Sequence, residues 1–386
     1  MFELTGIQEA VRSTAREFAE KVLTPRVEEI EHAEIFPQDL INEMGNLGLM
    51  GIPYPEKYGG LDAGLLAETI GLEELAKISP SAAKLLTVCY LPMDAINLFG
   101  TDEQKERYLP NMCNGKDIGS LAFTEAGTGS DPKQLTTTAI RKNGKIYING
   151  VKRFISNAAH KGTIVVVARD EGEDTCTAYL VKKFCKGYSL SSYWEKIGFK
   201  GSRVYDVFLD NVEVNDSDIL GSEKGGFDLL IGTTAVGKLA FSAVFTGAAE
   251  GAYDLTRKYI MNKIHRDTSI SKFPTVQLRT STIAANTLSM KLMLYRAAQD
   301  AEIFEGNMRR VQAATALTKG YIADLSNQTI QACVNAFGAY GGMEEYKIER
   351  YLRDSVIFPN IEGNVDVQRL ISGNYILKKD DNLIAD

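Results

Sequence analysis

The chain has 386 residues, 44% of them hydrophobic and 24% charged, the profile of a globular protein long enough for two or three domains. A formal net charge of −7 argues against a general nucleic-acid binder, which carries a basic excess. Met1–Thr5 lacks the basic and apolar regions of a signal peptide, and no unbroken apolar run of about 18 residues occurs; a cytoplasmic protein without a membrane span is expected.

Residues 1–115 read as about five helices. Ile7, Val11, Ala15, Phe18 and Val22 fall on one face of a helix over 6–22. Helical patterns recur over 37–50, 62–76 and 79–98, with Gly51-Ile52-Pro53-Tyr54-Pro55 as a break. After Gly115 the pattern turns to strands: Tyr147-Ile148, then 163–168, 177–181 and 205–209. Asn143-Gly144 reads as a hairpin tip and Asn149-Gly150 as a further turn. From Phe227 long helices return, clearest over 247–263, 275–304 and 309–337. Cys89, Cys113, Cys176, Cys185 and Cys333 are odd in number and form no C-x-x-C pair, so reduced, mostly buried thiols are expected. His32, His160 and His265 are too scattered for a metal site, and no metal is expected.

The most pointed stretch is Asn360-Ile361-Glu362-Gly363-Asn364. Pro359 stops the preceding element, and Asn364 can cap a new helix beginning at Val365. A carboxylate on a glycine turn at a helix mouth is a plausible seat for a general base. The bland alternative is that Glu362 caps the helix or pairs with Arg353 or Arg369.

Four motifs in register resemble the acyl-CoA dehydrogenase family over nearly the whole chain. Leu121-Ala122-Phe123-Thr124-Glu125-Ala126-Gly127-Thr128-Gly129-Ser130-Asp131 resembles its first flavin motif, and Lys152-Arg153-Phe154-Ile155-Ser156-Asn157 its strand beside the flavin ring. Residues 196–202 with 207–214 match its later strands; Phe337-Gly338-Ala339-Tyr340-Gly341, 349–354 and Ile361-Glu362-Gly363 match its C-terminal motif. The resemblance implies an α+β chain of three domains. These are an N-terminal helical domain over 1–115, a central β-barrel or sandwich over 116–228, and a C-terminal four-helix bundle over 229–386. It also implies FAD-dependent α,β-dehydrogenation of an acyl-CoA thioester, with Glu362 taking the α-proton and flavin N5 the β-hydride. The family's other seat for the base falls on Gly237, which has no side chain, and Glu250, further along that helix, reads as a solvated charge.

For the cofactor, the resemblance implies backbone groups of Phe123 and Thr124 at the ring, Ser156 near its reactive nitrogen and Phe154 over its face. Phe154 stands where relatives carry tryptophan, and core packing is the alternative reading for Phe123 and Phe154. Ser130 would contact the flavin side or the substrate's pantetheine arm, or cap its turn. Lys263, Gln277, Asn335, Gly338, Ala339, Asn364 and Asp366 occupy the positions that hold the adenosine half across a subunit interface. Several depart from the family pattern: Lys263, Arg266 and Asp267 replace an Arg and a Phe-Gly pair, Pro274 and Asn335 replace glutamines, Ala339 a glycine and Asn364 a threonine. Lysine lacks arginine's planar fork, so altered FAD contacts are expected.

Gly363 and Lys238 fall on substrate positions. Thr234-Ala235-Val236-Gly237-Lys238 reads as a turn in which Ala235 and Lys238 replace an Asp and an Arg that grip the carrier end of the thioester. An acyl or aminoacyl group on a carrier protein is therefore an alternative substrate, and Lys182, Lys183 and Lys186 form a small basic cluster, ordinarily a solvated surface. An oxygen-using flavoenzyme and a flavin-less scaffold are further alternatives. An electron-transfer flavoprotein as acceptor and a homodimer or homotetramer complete what the resemblance implies.

Overall fold

The structure, a computed structural model, describes residues 3–129, 134–304, 306–378 and 383. The N-terminal third is helical: α1 (Gly6–Phe18), α2 (Val27–His32), α3 (Gln38–Asn46), α4 (Gly64–Ile78), α5 (Pro80–Phe99) and α6 (Asp102–Cys113). Thr5 and Gln8 cap α1 reciprocally, and Val11, Ala15 and Phe18 face the core, while Ile7 lies exposed. The sixth helix, α6, was not expected, although Thr101 and Gln104 carry the same capping box.

The middle third is one mixed eight-stranded sheet: β1 (Ser120–Ala122), β2 (Thr138–Lys142), β3 (Lys145–Ser156), β4 (Thr163–Asp170), β5 (Cys176–Lys182), β6 (Tyr188–Leu190), β7 (Val204–Val214) and β8 (Ile219–Leu220). The order is β6-β7-β3-β2-β4-β5-β8, with β1 parallel to β4. Asn143 and Gly144, both left-handed, form the β2–β3 tip as expected. Asn149-Gly150 is not a turn: β3 runs through it and absorbs the misfit as a register shift against β7. Residues 196–202 are loop rather than strand. Alternation gives the sheet two apolar faces. Val165, Val167, Ala178 and Leu180 join the helical core, while Ile164, Val166, Ala168, Tyr179 and Val181 build a separate core with β3 and β7.

The chain then enters α7 (Gly226–Asn262), a 37-residue helix, followed by the short pair β9 (Ile264–His265) and β10 (Thr268–Ser269). After these come α8 (Pro274–Ile303), α9 (Met308–Ala336), α10 (Ile348–Ser355) and α11 (Val365–Lys378). Helices α7, α8 and α11 pack around α9, and α7 also packs on α4 and α5, so both helical thirds share one core. Segment 234–238 lies within α7 and is not a turn. Helices α5 and α7 are long and apolar enough to cross a membrane, but their apolar windows are 83% and 89% buried, which makes them core helices of this fold. Two charge readings are corrected. Glu250 is not solvated: it pairs with Lys77 at 2.6 Å and Lys291 at 2.9 Å. Lys183 points inward, donating to the carbonyls of Ile118 and Asn157. All five cysteines are free, and only Cys185 is not fully buried.

Candidate active site

Glu362 sits where two consecutive residues take the left-handed conformation, Glu362 at φ 53° and Gly363 at φ 84°. For a residue with a Cβ this conformation is uncommon and costs energy, so the surroundings must impose it. They do so from both sides. Gln368 Nε2 donates to the Glu362 carbonyl at 3.3 Å, and Lys319 Nζ, from α9, donates to the Gly363 carbonyl at 2.5 Å. Asn364 Oδ1 accepts from the Asp366 N–H at 2.8 Å, capping α11 as expected. Upstream, Phe358 stacks on Phe245 of α7 with ring centroids 4.2 Å apart.

The turn directs the carboxylate inward. Oε1 is shut off from solvent and has no hydrogen-bond partner among the described residues. Opposite it lies Gly237: a Cβ there would stand 3.0 Å from Oε1 and 2.6 Å from Leu91 Cδ2, so only glycine leaves the carboxylate its place. Arg353 pairs with Glu349, and Arg369 with Asp324 and Asp366, which removes both structural partners considered for Glu362. Instead two buried amines act on it. Burial raises the Glu362 pKa, and Lys238 and Lys319 draw it back down. Burial also pushes both lysines down to about 8 against the pull of Glu362. Lys238 thus faces the carboxylate rather than an outer rim. Lys319 has no local motif and was not anticipated. Glu362 also acts on Asp94, one helical turn from Leu91 on α5 and held at 2.8 Å by the Tyr54 hydroxyl; burial raises Asp94 to about 7.

A second wall is built on the sheet. Lys152, wholly buried, donates to Glu125 Oε1 at 2.8 Å and to the Phe123 carbonyl at 3.2 Å. Glu125 also accepts from Thr136 N–H and Oγ1 and from Thr137 N–H, and the lysine with these donors holds its pKa down to about 2 against burial. The Thr124 carbonyl accepts from Arg153 N–H at 2.7 Å. A register shift between Lys152 and Ile155 then turns Phe154 outward at φ 59°, 52% exposed, so it is not core. Its ring lies 5.5 Å from that of Trp194, with the Arg153 guanidinium over both. Trp194, the one tryptophan in the chain, was not singled out by sequence. Ser156 closes β3, partly exposed, beside Phe154.

Residues 5–116, 120–212 and 224–377 match, in turn, the N-terminal, middle and C-terminal domains of acyl-CoA dehydrogenase. The chain belongs to the acyl-CoA dehydrogenase family. It is 32% identical to an acyl-CoA dehydrogenase of Bacillus subtilis over 97% of this chain and 99% of that one. It is 30% identical to the caffeyl-CoA reductase-Etf complex subunit CarC of Acetobacterium woodii over 96% and 98%. Butyryl-CoA dehydrogenase from Megasphaera elsdenii superposes with a TM-score of 0.94 at 28% identity, covering 98% and 100%. The protein is accordingly an FAD-dependent oxidoreductase of the acyl-CoA dehydrogenase type, with the three-domain architecture of that family.

The sheet wall fits a flavin ring. The carbonyls of Phe123 and Thr124 are consumed, so what this loop can offer is N–H groups; Phe154 offers an exposed ring and Ser156 a hydroxyl. Ser130 lies outside the described residues. Of the residues expected at the adenosine half, five form another group at the far end of α7, whereas Asn364 and Asp366 lie on the Glu362 turn at the start of α11. Lys263 lies 4.6 Å over the Tyr340 ring, next to Gly338 and Ala339, with Asn335 just before them on α9. Gln277 lines an open groove with Arg257 and Ser271. The two groups stay apart within one chain. Lys84, Phe199, Phe358 and Phe245 stack in sequence beside the sheet wall, and from Phe245 to Lys263 the axis of α7 runs roughly 27 Å.

Proposed function

We propose that this acyl-CoA dehydrogenase removes hydrogen across Cα–Cβ of an acyl-CoA thioester, with Glu362 as the base for the α-proton. One observation carries the assignment: Glu362 Oε1 is shut off from solvent, has no hydrogen-bond partner among the described residues and rests against Gly237, where any side chain would crowd it. Bound FAD would supply the hydride acceptor. Glu362 is positioned by its left-handed turn, and Lys238 and Lys319 favour its ionised form, the one able to take a proton. Exclusion of water strengthens those charge interactions. Phe123, Thr124, Phe154 and Ser156 would hold the ring, and Lys263, Gln277, Asn335, Gly338, Ala339, Asn364 and Asp366 the adenosine half. The separation of the ring group from Lys263, Gln277, Asn335, Gly338 and Ala339 within one chain supports a cofactor shared between two subunits, hence a homodimer or a dimer of such dimers. The relative named as part of an Etf complex supports an electron-transfer flavoprotein as electron acceptor, and the fold is compatible with a cytoplasmic enzyme.

A second reading, a carrier-protein thioester as substrate, is favoured by one feature: Ala235 is buried and Lys238 is turned inward, so neither can grip a CoA end. Anaerobic absorbance spectra with a panel of acyl-CoAs test both. Bleaching of the flavin band by one of them supports acyl-CoA dehydrogenation; a band bleached only by a loaded carrier protein transfers the assignment to the second reading.

A further inference from the structure

A buried lysine stands behind the sheet wall without a carboxylate. Lys84, on α5, is 5% exposed, and no ion pair reaches it among the described residues. Its ammonium donates to Ser156 Oγ at 2.9 Å and to Ser202 Oγ at 2.8 Å, and lies 5.7 Å over the Phe199 ring. Burial, helped by Lys196, pushes its pKa well down and Asp354 opposes this, so the two hydroxyl oxygens serve where a counter-ion is missing. The loop it grips is itself fixed. Lys196 donates to the carbonyls of Phe199 and Ser202, and Asp354 accepts from the Phe199 N–H.

We propose that Lys84 is a positioning residue for the flavin, acting through Ser156. Lysine is a donor only, so a serine oxygen that accepts from it keeps its own hydrogen for another partner. Ser156 is the last residue of β3, partly exposed beside Phe154, and its backbone carbonyl is already taken by the Ser120 hydroxyl. Lys84 therefore orients the Ser156 O–H outward as a donor, and the bond behind it polarises that hydroxyl. Reduction would place a hydrogen on the reactive ring nitrogen, so a donor held there would act differently on the oxidised and the reduced cofactor, and the flavin potential would depend on it. The proposal rests on the reading that Ser156 faces the flavin.

The test is the flavin midpoint potential of holoenzyme, measured anaerobically against reference dyes, for wild type, Lys84→Met, Ser156→Ala and the double variant. Lys84→Met shifts the equilibrium constant for two-electron reduction by about tenfold, about 30 mV. Ser156→Ala shifts it at least as much, and the double variant matches Ser156→Ala. An unchanged potential in Lys84→Met overturns the proposal, and so does a full further shift in the double variant, which would mean that Lys84 acts without Ser156. An unchanged potential in Ser156→Ala overturns instead the placement of Ser156 at the ring. Where Lys84→Met does not fold, Lys84→Gln, which keeps a donor and loses the charge, is judged by the same criteria.

Discussion

The two walls of the site are held by opposite means. Around Glu125 and Lys152 every strong group is matched: the carboxylate accepts from a lysine, a hydroxyl and two backbone N–H groups. Around Glu362 one carboxylate oxygen has no partner among the described residues, and two lysines act on it through space, Lys319 bonding instead to the Gly363 carbonyl. Saturated hydrogen bonding suits a wall that must not move. An enclosed, unpaired carboxylate suits a group that must give and take a proton, because a bond to it would have to break first. Rigidity thus lies where the cofactor's ring is expected, and readiness at the carboxylate proposed to take the proton.

Four substitutions press on this contrast. Lys152→Met strands Glu125 as a buried unpaired charge, and breaking such a pair costs about 3–5 kcal/mol. Chemical denaturation checks this, and a loss below about 1 kcal/mol would mean that the wall does not depend on the pair. Glu362→Gln leaves stability and yellow colour intact but slows flavin reduction by roughly 10²-fold or more; near-normal reduction in stopped flow would remove Glu362 from the chemistry. Lys319→Met takes a cation away from Glu362, so the carboxylate is harder to ionise. The acid limb of the reduction rate then moves to higher pH, whereas an unmoved limb would show that Lys319 only braces Gly363. Asp94→Asn has the smallest effect. Burial raises the Asp94 pKa from 3.8 to about 7, so the folded state holds a proton that the unfolded state releases, and wild-type stability falls as pH rises through that window. The variant's Tm falls less steeply between about pH 4 and pH 7, the remaining slope coming from other buried carboxyls such as Glu73 and Asp354; equal slopes would mean Asp94 is not protonated in the fold.

Much of this was readable in the chain. Helical spacing gave α1, α4, α5, α8 and α9, and Asn143-Gly144 gave a hairpin whose tip needs two left-handed residues. Proline, glycine and asparagine around Glu362 gave its turn before any geometry was known. What escaped was of two kinds. Asn149-Gly150 carries turn chemistry but sits in a strand long enough to swallow it as a bulge, so tertiary pairing overrode the local signal. Lys319, Lys84 and Trp194 act over separations of 44, 72 and 40 residues from Gly363, Ser156 and Phe154, and no local periodicity reports such a meeting. Lys238 and Lys183 were visible as charges, but their inward direction comes from packing alone. The Thr101–Gln104 capping box, by contrast, is a purely local signal for the start of α6.

Because α7 belongs to the cores of both helical thirds, the order of synthesis has a cost. Helices α4 and α5, buried on nearly every side in the fold, leave the ribosome well before the partner that covers them. More than a hundred residues, including the whole sheet, intervene between Phe99 and the middle of α7, so at about 5–20 residues per second the nascent chain carries that bare surface for roughly 7–30 s. The sheet's second core lies among strands made consecutively and can close without waiting. The nascent protein is therefore a folded sheet trailing an unprotected helical pair, and the long helix that later seats Lys238 against Glu362 is also what ends its exposure to aggregation.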